Sequence, residues 1–257
     1  MLIISGNIAD YETILTELEN DEIKIKILDI IRTSSSTYRF SSKEELLFLL
    51  DMRKNIISAS KMLYRSRLRF RTFDESICNE HFWERTGEGG FLLRPDVKPS
   101  EGINDIYDNG QIYGTECATA IVILYYKAIL DTFGDSLFNR FFTDIYLMDW
   151  QNLHGNLTVA SYRNPDDYFP GDCRYFKNPD VDPLTPEWQG ENAIDLGNGY
   201  YYGHGVGITN ATNIIRTLNA HRKEGSGTSA YLLDSVTLPD FKRLFGLYMS
   251  GQHTPSQ

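Results

Sequence analysis

Cysteine is scarce in this chain: Cys78, Cys117 and Cys173 are the only three among 257 residues. An odd, widely spaced set excludes a disulfide framework and suits a reducing compartment. Neither a CxxC pair nor an HExxH motif occurs, so no metal or other cofactor is expected. Positive charge is also in short supply. With 25 Lys and Arg against 35 Asp and Glu the net charge is −10, which argues against a nucleic-acid binder, whose affinity rests on neutralising phosphates. The first residues meet Asp10 and Glu12 before a signal-peptide core is completed, and no run reads as a membrane span. Synthesis in the cytosol and no membrane association are therefore expected, and the sequons at Asn156 and Asn210 carry no glycan on that reading.

Repeats and low-complexity blocks are absent, and the Pro/Gly-rich stretches at 87–90 and 178–187 are short. The expectation is a single domain over 1–257 of α+β composition, with a helical N-terminal part to about residue 66 and a loose tail over 250–257. A monomer is expected.

The most informative positive feature is Cys117, at the start of an apolar run in which only Thr119 and Lys127 interrupt residues 118–130. The pattern predicts a buried helix, with Thr115 as N-cap and Gly134 as stop. A helix start aims free backbone N–H groups at the sulfur, an effect of about 0.3–1 kcal/mol and up to ~2. One pKa unit is about 1.36 kcal/mol, so the dipole alone falls short of activating a thiol near ~8.5, and a neighbouring imidazolium is required.

Among the five histidines, His204 stands out, within two strand-like runs flanking Asn198-Gly199, the strongest short hairpin signal. A two-residue turn there sets Ala193 opposite His204 and places Glu191 and Asp195 on the same face as the imidazole, where either could orient it. A one-residue slip, with 197–199 as a three-residue loop, moves both carboxylates to the other face. Gly203, Gly205 and Gly207 allow close backbone approach; they fail as a dinucleotide fingerprint, whose third glycine is replaced by Ile208. Asp180, Asp182 and Glu191 echo three positions of an EF-hand loop, but Leu184 and Thr185 occupy a ligand and the turn-glycine position, and Pro183 and Pro186 stiffen the segment, so calcium is not expected to be needed. In the segment 65–71, Arg65, Arg67, Arg69 and Arg71 alternate with Ser66, Leu68 and Phe70. A strand there turns the arginines to one face, as a solvated edge or a docking surface for an acidic partner.

The strings IYGTECATAIVI around Cys117, DPLTPEWQGEN around Glu191 and YYGHG around His204 strongly resemble the bacillus-type protein-glutamine gamma-glutamyltransferases, the spore-coat transglutaminases, and the match extends over nearly the whole chain. The resemblance implies a papain-like or NlpC/P60-like core, a cysteine-bearing helix packed on an antiparallel sheet that carries the histidine. It implies Cys117 as nucleophile, His204 as general base and acid, Glu191 as orienting carboxylate and Glu116 as a second glutamate able to share that role. A tunnel lined by Phe70, Trp150 and Trp188 is implied as well, and Gln111 has the spacing of the oxyanion glutamine of papain-like enzymes.

On this reading the Cys117 thiolate attacks a protein glutamine, ammonia leaves, and a lysine amine resolves the thioester into an isopeptide bond. A scarcity of water in the tunnel favours the amine. The partners are then proteins bearing reactive glutamine and lysine, in the spore coat, reached after synthesis in the mother cell. Gln252 and Gln257 are candidate acceptors for self-cross-linking. The alternatives are a cysteine peptidase or amidase on the same core and a non-catalytic coat protein.

Overall fold

A computed structural model describes residues 1–252. Helices Tyr11–Glu17, Glu22–Thr33 and Lys43–Ser66 begin at Asp10, Asp21 and Ser42, whose side-chain oxygens accept hydrogen bonds from the first backbone N–H groups of each helix. The N-terminal part is not purely helical, because Leu2–Ile4, Asn7–Ile8 and Tyr38–Phe40 form a three-stranded sheet beside these helices.

The helix Cys117–Phe141 packs along Lys43–Ser66 and forms the centre of the molecule. Ile121, Val122, Ile123 and Leu124 are consecutive and wholly buried. Four successive positions sweep every face of a helix, so protein surrounds it on all sides. Helical geometry breaks at Gly134 (φ 74°), and the chain then resumes as helix to Phe141. The expected stop is thus a kink. Among the described residues this helix is long and apolar enough to cross a membrane, a run the sequence reading passed over; 72 % of its most apolar window is buried inside the protein, as befits a core helix.

The second half of the chain supplies a seven-stranded sheet. Its strands, in chain order, are β1 (Val159–Arg163), β2 (Cys173–Lys177), β3 (Gly190–Asp195), β4 (Tyr200–Gly203), β5 (Gly207–Asn210), β6 (Tyr231–Leu232) and β7 (Ser235–Pro239). The spatial order is β5-β4-β3-β2-β7-β1, with β6 also on β2, and every pairing is antiparallel. The cysteine-bearing helix packs against β3. Helices and antiparallel sheets make this a mixed α/β fold of the α+β kind.

Helix and sheet are tied by a buried ion pair. Arg53 Nη1 lies 2.8 Å from Asp172 Oδ1, with side chains 6 % and 2 % exposed, and Asp172 Oδ2 also accepts from the Phe169 N–H at 2.8 Å. Removing one member strands the other charge in the interior. Asp172→Ala is expected to cost about 3–5 kcal/mol of stability in denaturant unfolding.

The arginine-rich segment is not one strand. Lys43–Ser66 continues as helix through Arg65 and ends at Arg67 in the left-handed region (φ 63°). Only Arg69–Phe70 is extended, parallel to Gly114–Thr115, with Phe70 opposite Thr115. The left-handed turn lets Leu68 join the core and carries Phe70 beside the start of the cysteine helix. The first residues of the expected loose tail are helical, since the last helix, Phe241–Gln252, includes Ser250, Gly251 and Gln252. Gln257 lies outside the described residues.

Candidate active site

Cys117 opens its helix, as expected, but the cap is Glu116 rather than Thr115. Thr115 is held in the short strand, where its carbonyl accepts from the Arg71 N–H at 2.9 Å and from His204 Nε2 at 3.1 Å. The Glu116 carboxylate accepts from the Ala118 N–H at 2.8 Å, the Thr119 N–H at 2.6 Å and the Thr119 hydroxyl at 2.9 Å. A carboxylate therefore occupies the helix start that the thiolate was expected to use. Burial, reinforced by Glu191 and then Glu116, pushes the Cys117 thiol well above the ordinary thiol range; Asn192 opposes this through its backbone and side-chain donors. The thiol is neutral at rest.

The hairpin carries the one-residue slip. The Leu196 N–H donates to the Tyr200 carbonyl at 2.9 Å, and Ala193 pairs with Gly203. Residues 197–199 are a three-residue loop, with Gly197 (φ 87°) and Gly199 (φ 80°) taking the left-handed conformations. In this register Glu191 and Asp195 do not share the face of His204, contrary to the two-residue turn that was expected. Continuing the register sets Glu191 opposite Gly205 and Asn192 opposite His204.

Glu191 holds the histidine loop by its backbone rather than by the ring. Its Oε1 accepts from the Gly205 N–H at 3.2 Å, and the His204 N–H also stabilises the carboxylate. A Cβ at Gly203 would lie 2.8 Å from both Glu191 Cγ and Oε1, and one at Gly205 would lie 3.0 Å from Oε2. Those glycines make the space for the carboxyl. Burial lifts Glu191 to about 8, with Glu116 adding to the rise against the backbone donors.

His204 sits just beyond β4 and has both ring nitrogens occupied. Nε2 donates to the carbonyls of Arg69 and Thr115, each at 3.1 Å, and Nδ1 accepts from the Tyr202 hydroxyl at 3.2 Å. Burial lowers its pKa to about 4 despite the two carbonyls, so the ring is neutral. Among the described residues no hydrogen bond joins it to Cys117 or Glu191. The imidazolium expected beside the sulfur is not there.

The residue at the sulfur is Asn192, which the sequence reading missed. Its Nδ2 donates to Cys117 Sγ at 3.6 Å. Tyr175, its partner on β2, lines the same space. The signal lay in the sequence as the residue after Glu191, which a correct register would have turned toward His204's side. The cleft around Cys117 has a volume of about 630 Å³ and is lined by Phe70, Trp150, Tyr175, Glu116 and Asn192 among others.

Phe70 and Trp150 thus line the same cleft as the cysteine. Trp188 stands one layer back, 5.7 Å from Phe70 and stacked on His221 at 4.1 Å. Gln111 is not at the site. It is exposed in the turn Gly110–Ile112 and lines a separate hollow with Met62, Tyr107 and Asp108, because the strand Gly114–Thr115 carries the chain away before the cysteine. The residues weighed as a calcium loop are dispersed: Asp180 pairs with Lys223, Asp182 accepts from the Leu184 N–H, and Glu191 is in the sheet.

The profile of the protein-glutamine gamma-glutamyltransferase family matches residues 1–248. A protein-glutamine gamma-glutamyltransferase of Bacillus mycoides is 46 % identical over 221 residues, spanning 86 % of this chain and 79 % of that protein. One from Bacillus cereus is 44 % identical over 227 residues, spanning 88 % and 81 %. Among solved structures, a transglutaminase from Geobacillus stearothermophilus, without its C-terminal extension, superposes with a TM-score of 0.76 at 49 % identity, covering 80 % of this chain and 98 % of that one. A half-buried cysteine at a helix start, in a cleft walled by aromatics, suits the thiol chemistry of such enzymes. The chain belongs to the protein-glutamine gamma-glutamyltransferase family, acyltransferases that join proteins through glutamyl-lysine isopeptide bonds.

Proposed function

We propose that Cys117 is the nucleophile of the reaction, Glu191 its proton acceptor, and Asn192 the amide that steadies the sulfur and the developing oxyanion, on a core of the papain-like or NlpC/P60-like kind. The observation that carries this reading is the Asn192 Nδ2 to Cys117 Sγ contact of 3.6 Å within the aromatic cleft. Glu191 is the carboxylate that acts most strongly on the thiol, and Glu116 is the second. When Glu191 ionises it takes the thiol proton as the sulfur attacks the glutamine carboxamide. The proton then leaves with ammonia, and a thioester remains on Cys117. A lysine amine attacks that thioester and gives its proton to the carboxylate; as the C–S bond breaks, the carboxyl passes that proton to the departing Cys117 sulfur, and the isopeptide is released. His204, bonded to the carbonyls of Arg69 and Thr115, positions the strand that holds Phe70 and the residues leading into Cys117.

Phe70, Trp150 and Tyr175 restrict water around the thioester and favour the amine over hydrolysis. Asp74, Glu116 and Glu187 also line the cleft, with no lysine or arginine, so it suits the approach of an ammonium group.

The reaction is proposed to need no calcium, to run on a monomer, and to cross-link spore-coat proteins after synthesis in the mother cell, in line with the resemblance of the chain to the spore-coat enzymes. Incorporation of a fluorescent primary amine into casein is expected to proceed undiminished with excess calcium chelator. Loss of incorporation on chelation, restored by calcium, would remove the calcium-independent reading. Asn192→Ala is expected to lower kcat by about 10²-fold, the typical cost of one oxyanion donor, with little change in KM. Steady-state kinetics with a glutamine peptide check it.

A further inference from the structure

The side of His204 away from the cysteine cleft borders a second groove of about 630 Å³, lined by Tyr64, Arg65, Arg67, Leu68, Tyr202, His204, Val206 and Gly207. In a protein of net charge −10 its character is unusual. It holds two arginines and no acidic residue, and Arg69 is exposed next to it. Among the described residues, Arg65, Arg67 and Arg69 have no carboxylate within ion-pairing distance, whereas Arg71 is paired with Glu75. Asp108 lies in the adjoining hollow that shares Arg65 and Arg67, and pairs with neither.

Backbone and packing keep the groove open. Arg67 occupies a left-handed position (φ 63°) that glycine would take with less strain. Gly207 lies under Tyr64, where an added Cβ would come within 3.1 Å of the ring. The wall between groove and cleft is thin. His204 lines the groove, Phe70 lines the cleft, and their ring centroids are 6.1 Å apart. About three residues of extended chain cover roughly 10 Å, enough to pass such a wall.

We infer that this groove docks an acidic segment of a protein substrate, a few residues from the side chain that reaches Cys117. The inference rests on the transglutaminase reading for its choice of occupant. Two unpaired guanidinium groups offer bidentate donors to glutamate or aspartate, Tyr64 is 52 % exposed and offers an apolar face, and the acidic lining of the cleft disfavours the same segment there. The two openings thus have opposite charge preferences.

The test uses the full chain carrying Cys117→Ala, so that binding is read without turnover. Fluorescence anisotropy is measured with a fluorescein-labelled glutamine peptide flanked by a run of glutamates, and with its twin in which serines replace them. The acidic peptide is expected to bind about tenfold more tightly than the twin, ~1.4 kcal/mol, and to lose that margin in Arg65→Glu/Arg67→Glu and at high salt. Arg67→Gly suits the left-handed backbone, so it should weaken the acidic peptide without lowering the Tm. Equal affinities for the two peptides, or undiminished acidic binding by the arginine variants, would overturn the groove. Amine transfer to the twin peptide by the unmodified protein is scored separately. Arginine-dependent binding without transfer removes the reaction and keeps the groove; transfer without charge preference does the reverse.

Discussion

Glu191→Gln should lower kcat for amine transfer by about 10²–10⁴-fold, the usual worth of a positioned proton acceptor. Glutamine keeps the volume of the side chain and an oxygen to accept from the Gly205 N–H, so the loop bearing His204 retains its anchor. What is lost is the ionisable oxygen. In the unmodified protein kcat/KM should rise with pH through about 8, as the buried carboxyl ionises; in the variant that limb should vanish. If Glu116 takes over part of the role, a residual rate will survive in Glu191→Gln and fall again in the double variant with Glu116→Gln. A variant with wild-type kcat and an unchanged pH profile would transfer the role to another group.

Stability should move the other way. The Glu191 carboxyl ionises near 4.5 in the unfolded chain but near 8 in the native one. Between those values the native state holds a proton the unfolded state has released, so stability falls as pH rises across this window. Glutamine removes that slope. At pH 8 Glu191→Gln should unfold at a temperature no lower than the parent, which separates loss of chemistry from loss of fold. His204 contributes the opposite trend. Its native value near 4 against 6.5 means that stability is lost as pH falls from 6.5 toward 4, because only the unfolded chain gains the proton.

The helix bearing Cys117 was legible because an apolar run with only Thr119 and Lys127 interrupting it predicts a helix covered on every face, and because Gly134 disrupts its geometry. Phe70 and Trp150 line the cleft around Cys117. The register of the hairpin was not legible. The pair Asn198-Gly199 signals a two-residue turn, which needs a positive φ at both positions. Gly197 supplies one of the two left-handed conformations instead, and the loop grows by a residue. That choice is decided by how β3 pairs with β2 and packs on the cysteine helix, contacts that short-range pattern does not contain.

The thiol shows the same limit. Sequence displays the helix start and its dipole, worth at most ~2 kcal/mol, but not the burial and the two glutamates that outweigh it. Gln111 failed because a spacing of six residues carries over only if the intervening backbone does, and here a tight turn and a short strand intervene. Residues 65–71 alternate like a strand, yet the preceding helix extends to Ser66 before the left-handed Arg67 ends it. Tertiary context decided each of these.

Cys117→Ala should abolish amine incorporation outright, since no other group can carry the acyl intermediate. Cys78 is half-buried and raised to about 11 mainly by burial, and Cys173 is fully buried in β2. Neither substitutes for a nucleophile facing the cleft. The direct measurement is intact-mass spectrometry of the protein mixed with a small glutamine peptide in the absence of amine and quenched in acid. The unmodified chain should gain the mass of the peptide less ammonia, with the adduct mapping to Cys117 and disappearing when a primary amine is added before the quench. An adduct on a different residue, or continued amine transfer by Cys117→Ala, would contradict the account.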